Sequence, residues 1–221
     1  MRSAQQSGAR GSLKWMQRAV EERWADLEDQ LLSQLSGASS INWLSPLAGD
    51  DFAEYRDAAF LRLIGHEELV GELGKFWPKR GPQWDGLART DAGHILLCEA
   101  KAHIAEFCSP PSQASAASLL MISSALLMTA RKLGVKEAHF LDWGRHFYQY
   151  SNRLAHLLWL RENHIDAKLV LIGFVHDHDM PGHTTVEAWE AAYLLADRVL
   201  GIPARHCLSS HVIHVHPEVR G

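Results

Sequence analysis

The chain of 221 residues holds only three cysteines, Cys98, Cys108 and Cys207, an odd number with no CxxC pair. That excludes a disulfide framework and a cysteine-built zinc knuckle, and it fits a reducing, cytoplasmic setting. Charge of one sign is also scarce, with a formal net charge of -4 and a pI of about 6.4. Without a global basic field, any polyanion site must be local. The longest apolar run, residues 116–130, is broken by Ser118, Ser123, Ser124 and Thr129. It is too short to span a bilayer, so a buried helix is expected and no membrane partner. The opening stretch "MRSAQQSGARGS" has no apolar region behind its basic residues, so residues 1–12 read as a flexible tail and not as a signal peptide. There is no GxxxxGK[ST], no GxGxxG after a strand and no GxSxG. ATP-driven, dinucleotide-dependent and serine-hydrolase chemistry thus lack their usual motifs.

What is present suffices for one core, since 47% of the residues are hydrophobic. Leu13, Met16, Val20, Trp24, Leu27, Leu31 and Leu35 recur at steps of three and four, which predicts an amphipathic helix. Residues 13–40 are read as this N-terminal helix and a linker, and 41–221 as the main domain. The helix's apolar stripe could pack on that domain or on a second subunit, which leaves a homo-oligomer open. A helix from Asp50 or Asp51 to Gly65 and a shorter one over 66–74 are expected next. Segments 83–89 and 94–100, joined by Thr-Asp-Ala-Gly, predict an antiparallel hairpin. Helices follow over 112–133, with Leu119, Ile122, Leu126, Ala130 and Leu133 on its packed face, and over 145–163. Residues 167–175 are almost continuously apolar and read as the central strand. Thr184 and Glu187 have the spacing of a capping box for a helix ending at Gly201, and 212–216 reads as an edge strand. This order gives an α/β layered domain with a mixed sheet flanked by helices.

The hairpin carries Asp85, Glu99 and Lys101 among apolar residues. Alternation puts Glu99 and Lys101 on one face with Ile95 and Leu97. Asp85 precedes Glu99 by 14 positions, so an antiparallel turn brings the two carboxylates side by side. Two such charges repel unless a cation sits between them, and a hard ion such as Mg²⁺ suits oxygen donors. The plainer alternative is an ion pair of Lys101 with Glu99 or Asp85 that fixes the hairpin.

Asp85 followed by Glu99-Ala100-Lys101 at the end of an apolar strand resembles the PD-(D/E)xK nuclease signature of restriction-endonuclease-like proteins. "EYRDAAFL", "FWPKRGPQWDGL", "EAKAH", "YQYSNRLAHL" and "VLIGFVHD" together look like a bacterial branch of that superfamily, from about Leu44 to Val215. Trp84 stands where the signature often has proline. The resemblance implies a restriction endonuclease-like mixed sheet flanked by helices, here with an extra N-terminal amphipathic helix. It implies hydrolysis of phosphodiester bonds, with DNA the expected polymer. Asp85, Glu99 and the Ala100 carbonyl would hold Mg²⁺ or Mn²⁺, and Lys101 would orient water or stabilise developing negative charge. For the acid that the signature places on an upstream helix, Glu54 is preferred; Glu68 and Glu72 are its rivals, and Asp51 with Glu54 also has the spacing of a capping box. The alternative function is a nuclease-like fold that no longer cuts and serves as a nucleic-acid-binding or assembly module.

Three further features carry two readings each. Lys75, Lys79, Arg80 and Arg89 face only Asp85 between residues 74 and 90, a local charge of +3, with Trp77 and Trp84 as stacking surfaces or as core. Gln149, Asn152, Arg153 and His156 fall on one helical stripe, for phosphate or site carboxylates or else for solvent. His176, Asp177, His178, Asp179 and His183, with His211, His214 and His216, could serve zinc, but no HExxH spacing backs that over a surface turn.

Overall fold

The most apolar segments form the interior of a sheet in the computed structural model of the chain, which describes residues 1–179, 182 and 184–220. Two short strands, β1 (Arg2–Ser3) and β3 (Glu54–Tyr55), form a separate two-stranded sheet. The main sheet has five strands in the order β2 (Ile41–Ser45), β4 (Gly86–Thr90), β5 (Ile95–Lys101), β6 (Ala167–Gly173) and β7 (Val212–Val215). The first two pairings are antiparallel and the last two parallel. The protein is therefore a mixed α/β fold. The middle strand is β5, not the expected 167–175 segment, which lies beside it as β6. Both of its faces are covered, which accounts for its unbroken apolarity.

One face is covered by α1 (Gly11–Glu21) and α2 (Ala25–Leu32). The single helix expected here is two, because Arg23 adopts a left-handed backbone with φ 52 and turns the chain. The stripe survives the turn: Met16, Val20, Trp24, Leu27 and Leu31 pack on Ala88, Leu96, Cys98, Ala100, Val170 and Ile172. Each such buried side chain is worth about 1.5–3 kcal/mol, so this layer belongs to the core and is no appendage. Gly86 lets α1 approach closely, since a Cβ there would lie 2.4 Å from Met16 Cε. The first residues, expected as a flexible tail, lie along the domain: β1 pairs with β3, and Arg2 binds Asp50 and Asp51 at 2.8 Å each.

The opposite face takes α3 (Ala58–Leu63), α4 (Val70–Phe76), α5 (Ile104–Phe107), α6 (Ala116–Lys132), α7 (Asp142–Arg145), α8 (Tyr148–Glu162) and α9 (Val186–Leu200). Leu87, Ile95, Leu97, Leu169 and Leu171 meet them from the sheet. Several expected boundaries shift. No helix starts at Asp50 or Asp51, because Asp51 and Phe52 are left-handed (φ 51 and 47) and α3 begins only at Ala58. The helix expected over 145–163 splits at Phe147, φ 49. α6 starts at Ala116 under a Ser115 cap, and Leu119, assigned to its packed face, is 37% exposed. The cap of α9 is Thr185, whose hydroxyl accepts from the Ala188 amide at 3.3 Å, and not Thr184, which is buried and donates to the Phe174 carbonyl. Among the described residues no helix is long and apolar enough to cross a membrane.

Candidate active site

Asp85 is the residue just before β4, and its amide donates to the Cys98 carbonyl at 3.1 Å. With Gly86 opposite Cys98, this register sets Asp85 across from Glu99. The Asp85 Oδ2 atom accepts the Ala100 amide at 2.8 Å, so the acid takes over the ladder where β4 has not yet begun. The next carbonyl along β5, that of Lys101, accepts from Phe174 on the β6 side. Alternation then turns the Ala100 carbonyl to the Asp85 edge.

Glu99 and Lys101 share the face of Ile95 and Leu97, as the period-two pattern requires. Glu99 is 5% exposed, and both of its oxygens are engaged. Oε1 accepts from Lys101 Nζ at 2.6 Å. Oε2 accepts from Arg153, with Nε at 2.6 Å and a second guanidinium nitrogen at 2.5 Å. Arg153 reaches there from α8 and also donates to the Gln83 carbonyl and to Asn152 Oδ1, while its guanidinium lies 4.9 Å from the centre of the Trp84 ring. The stripe of Gln149, Asn152, Arg153 and His156 is thus no solvated face: the last three are buried.

Glu54 joins this group from β3, because Tyr55 and Trp84 form a bridge in which the Trp84 amide donates to the Tyr55 carbonyl. Its Oε2 accepts from the side-chain amides of Gln5, at 3.1 Å, and Gln83. The expectation of a helical acid is corrected in its element: Glu54 lies in a two-residue strand and forms no capping box. Glu68 and Glu72 are away from the site, exposed and paired with His66 and Lys75.

The electrostatics divide the carboxylates. Burial, reinforced by Glu99 and Glu54 and only partly relieved by Lys101, pushes the Asp85 pKa up to about 7. Burial also raises Glu54, with the Gln83 hydrogen bond working against it and Glu99 adding to the rise. For Glu99, burial acts upward as well, but Arg153 and Lys101 outweigh it and hold the group below its ordinary range. Asp85 and Glu54 are the carboxylates left short of compensating positive charge.

Asp85, Glu99, Lys101 and Arg153 line a cleft of about 420 Å³ together with Arg80, Gln83, residues 109–113, Tyr148, Gln149 and Asn152. Lys79 and Arg80 are exposed, with Arg80 in the cleft wall. Trp77 and Trp84 are core residues, 4% and 0% exposed; Trp77 also borders the cleft, whereas Trp84 does not. Lys75 pairs with Glu72, and Arg89 donates to the Ile64 carbonyl, so neither serves the cleft. Sequence reasoning missed Gln83, Gln5 and the 109–113 wall. Gln83 shares the alternation of Asp85 and was within reach of that argument; the other two carry no local signal.

Among the described residues no three His, Cys, Asp or Glu side chains are arranged to hold a metal ion. His183 lies outside the described residues, His176 pairs with Glu218, and His214 packs on Tyr193 with ring centres 4.5 Å apart. Compared with family models, curated proteins and solved structures, the chain matches none of them.

Proposed function

We propose that the chain is a Mg²⁺-dependent nuclease of the PD-(D/E)xK, restriction endonuclease-like type, acting on DNA. The observation that supports this reading is the convergence of Asp85, Glu99 and Lys101 in one cleft, with Glu54 beside them. The donors fit a hard cation in kind. Asp85 and the Ala100 carbonyl occupy one edge, and Mg²⁺ binds through few protein oxygens while keeping several waters. The elevated Asp85 pKa supports the same fit, because it marks negative charge that a cation would relieve. Glu99 becomes a third donor only by exchanging one of its two ion pairs. When bound, the ion supplies positive charge against the scissile phosphate and makes water a better nucleophile at neutral pH.

The chain's own groups do the rest. Lys101, held at 2.6 Å by Glu99, presents its remaining N–H bonds to the cleft, where they can orient a water and stabilise charge building on a phosphate oxygen. Arg153 fixes Glu99 and, through the Gln83 carbonyl, the segment leading to Asp85. Gln149 and Asn152 line the cleft as neutral hydrogen-bonding groups, which tolerate phosphate without repelling it.

A second reading, a nuclease-like module that binds without cutting, draws support from Glu99 having both oxygens committed to Lys101 and Arg153. Cleavage of labelled single-stranded and duplex DNA in Mg²⁺ or Mn²⁺ separates the two. Cutting by wild type that falls at least about a hundredfold in Lys101→Ala and in Asp85→Asn supports the nuclease. No cutting in either metal, with no metal-induced rise in melting temperature, rejects it in favour of the binding module.

A further inference from the structure

The cleft is half of a longer groove. A second cavity, also about 420 Å³, adjoins it and shares Trp77, Arg80, Ser112, Gln113 and Tyr148 with it. The inner cavity contains the carboxylates and Lys101, whereas the outer one is lined by Lys79 and Arg80 and by no acid. Both cations are exposed, and neither side chain makes an ion pair or hydrogen bond among the described residues. Other surface cations, such as Arg62 and Lys75, are paired with neighbouring glutamates. Free cations in an acid-free cavity next to a proposed phosphodiester site suit the next phosphate of the same polymer.

The walls are pinned. Asp57 accepts the amides of Arg80 and Gly81 at 3.1 and 2.9 Å, which holds one rim and gives Arg80 its left-handed backbone, φ 68. Ser109 Oγ accepts the Gln149 amide at 2.8 Å, and Pro110 and Pro111 follow it along the other rim. Each cavity sits near the low end of small-ligand sites, about 300–1,000 Å³, room for one nucleotide at a time. A duplex is a stiff rod with its phosphates on a convex surface and cannot enter such a space. A single strand can, because its bases and phosphates enter in succession, and Tyr148, which borders both cavities, offers a ring between them.

We infer that this groove takes a single-stranded polynucleotide, threaded past Lys79, Arg80 and Tyr148 to the carboxylates, and that duplex is excluded. For its chemistry the inference rests on the nuclease reading; for its binding it does not.

The test measures binding without chemistry, by fluorescence anisotropy of labelled single-stranded DNA, single-stranded RNA and blunt duplex DNA in chelator. Single strands are expected to bind at least about tenfold more tightly than duplex. Reversing charge in Lys79→Glu/Arg80→Glu should weaken single-strand binding by about tenfold or more and flatten its salt dependence by roughly one to one and a half logarithmic units per decade. Tyr148→Ala should cost about tenfold. Equal affinity for duplex, or single-strand binding unaffected by the charge reversal, overturns the inference; so does no binding of any polynucleotide. Single-strand binding with the expected losses, but no cutting in any metal, upholds the groove and refutes the nuclease. Equal cutting of blunt duplex and single strand does the reverse.

Discussion

Asp85→Asn is expected to make the fold more stable at pH 8 and to leave it nearly unchanged at pH 4. The native Asp85 carboxyl has its pKa lifted from 3.8 to about 7, by burial first and by Glu99 and Glu54 after it, against relief from Lys101. Between those values the native state keeps a proton that the unfolded chain has released. Stability therefore falls as pH rises through that window, and the full cost is present above about pH 7. At 1.36 kcal/mol per pH unit the interval is worth about 4 kcal/mol at most, and residual solvent contact brings the expectation to about 2–4 kcal/mol. Asparagine retains an oxygen for the Ala100 amide, 2.8 Å from the present acceptor, and carries no charge at any pH. Urea unfolding in chelator at pH 4, 6 and 8 reads the difference as a shift in midpoint at constant slope. Adding Mg²⁺ at pH 8 is expected to remove most or all of this difference, since an ion at a hundred times its Kd stabilises the wild type by about 2.7 kcal/mol and leaves the variant unmoved. A variant that is less stable than wild type by the same amount at pH 4 and pH 8 refutes the reasoning. Asp85 would then be ionised at no cost, and the charge deficit on which the metal fit leans would not exist.

Two further substitutions probe the surroundings. Arg153→Met keeps a stem over Trp84 but leaves Glu99, 5% exposed, with Lys101 alone; it is expected to cost about 3–5 kcal/mol in urea unfolding, with part restored by adding Glu99→Gln. Strict additivity of the two in a double-mutant cycle would show that they do not act as a pair. Thr185→Ala is expected to cost about 1 kcal/mol by removing the acceptor for the Ala188 amide at the start of α9, and an unchanged melting temperature would return the cap to Thr184.

Local periods carried the fold as far as they reach. The alternation in β5 and the apolarity of β6 are visible within a few residues, and so is the stripe of Met16, Val20, Trp24, Leu27 and Leu31. The breaks in the helices were not, because they fall at Arg23 and Phe147, residues that seldom adopt positive φ, with no glycine to mark the turn. β2 escaped notice for a related reason: Ile41–Ser45 is five residues long, and its edge place beside β4 is set by pairing with residues more than forty positions away. Thr184 and Thr185 show the limit of motif spacing. Both can cap a helix, and the choice fell to Thr185 because the carbonyl of Phe174 claimed the other hydroxyl.

The site was open to the same logic where hairpin register alone decides. Asp85 faces Glu99 because Gly86 pairs with Cys98, and the turn over residues 91–93 leaves no other count. The cation next to Glu99 was half readable. Lys101 follows by two positions on the same face, whereas Arg153 arrives from 54 positions away, and its helical stripe said that four polar residues shared a face without saying which surface that face would meet. A stripe of amides and one arginine, poor in Glu and Lys, is nonetheless what a buried carboxylate needs, since an isolated ion in the interior costs several kcal/mol until it is paired. Glu54 marks the other boundary. Its place upstream of Asp85 pointed to the residue, but it sits in a two-residue strand tied to the site by a bridge between Tyr55 and Trp84, and its amide partners Gln5 and Gln83 lie 49 and 29 positions from it. Amides at such distances leave no period in a sequence. What they surround is a carboxylate whose pKa burial raises, with Glu99 adding to the rise and the amide hydrogen bonds offsetting only part of it.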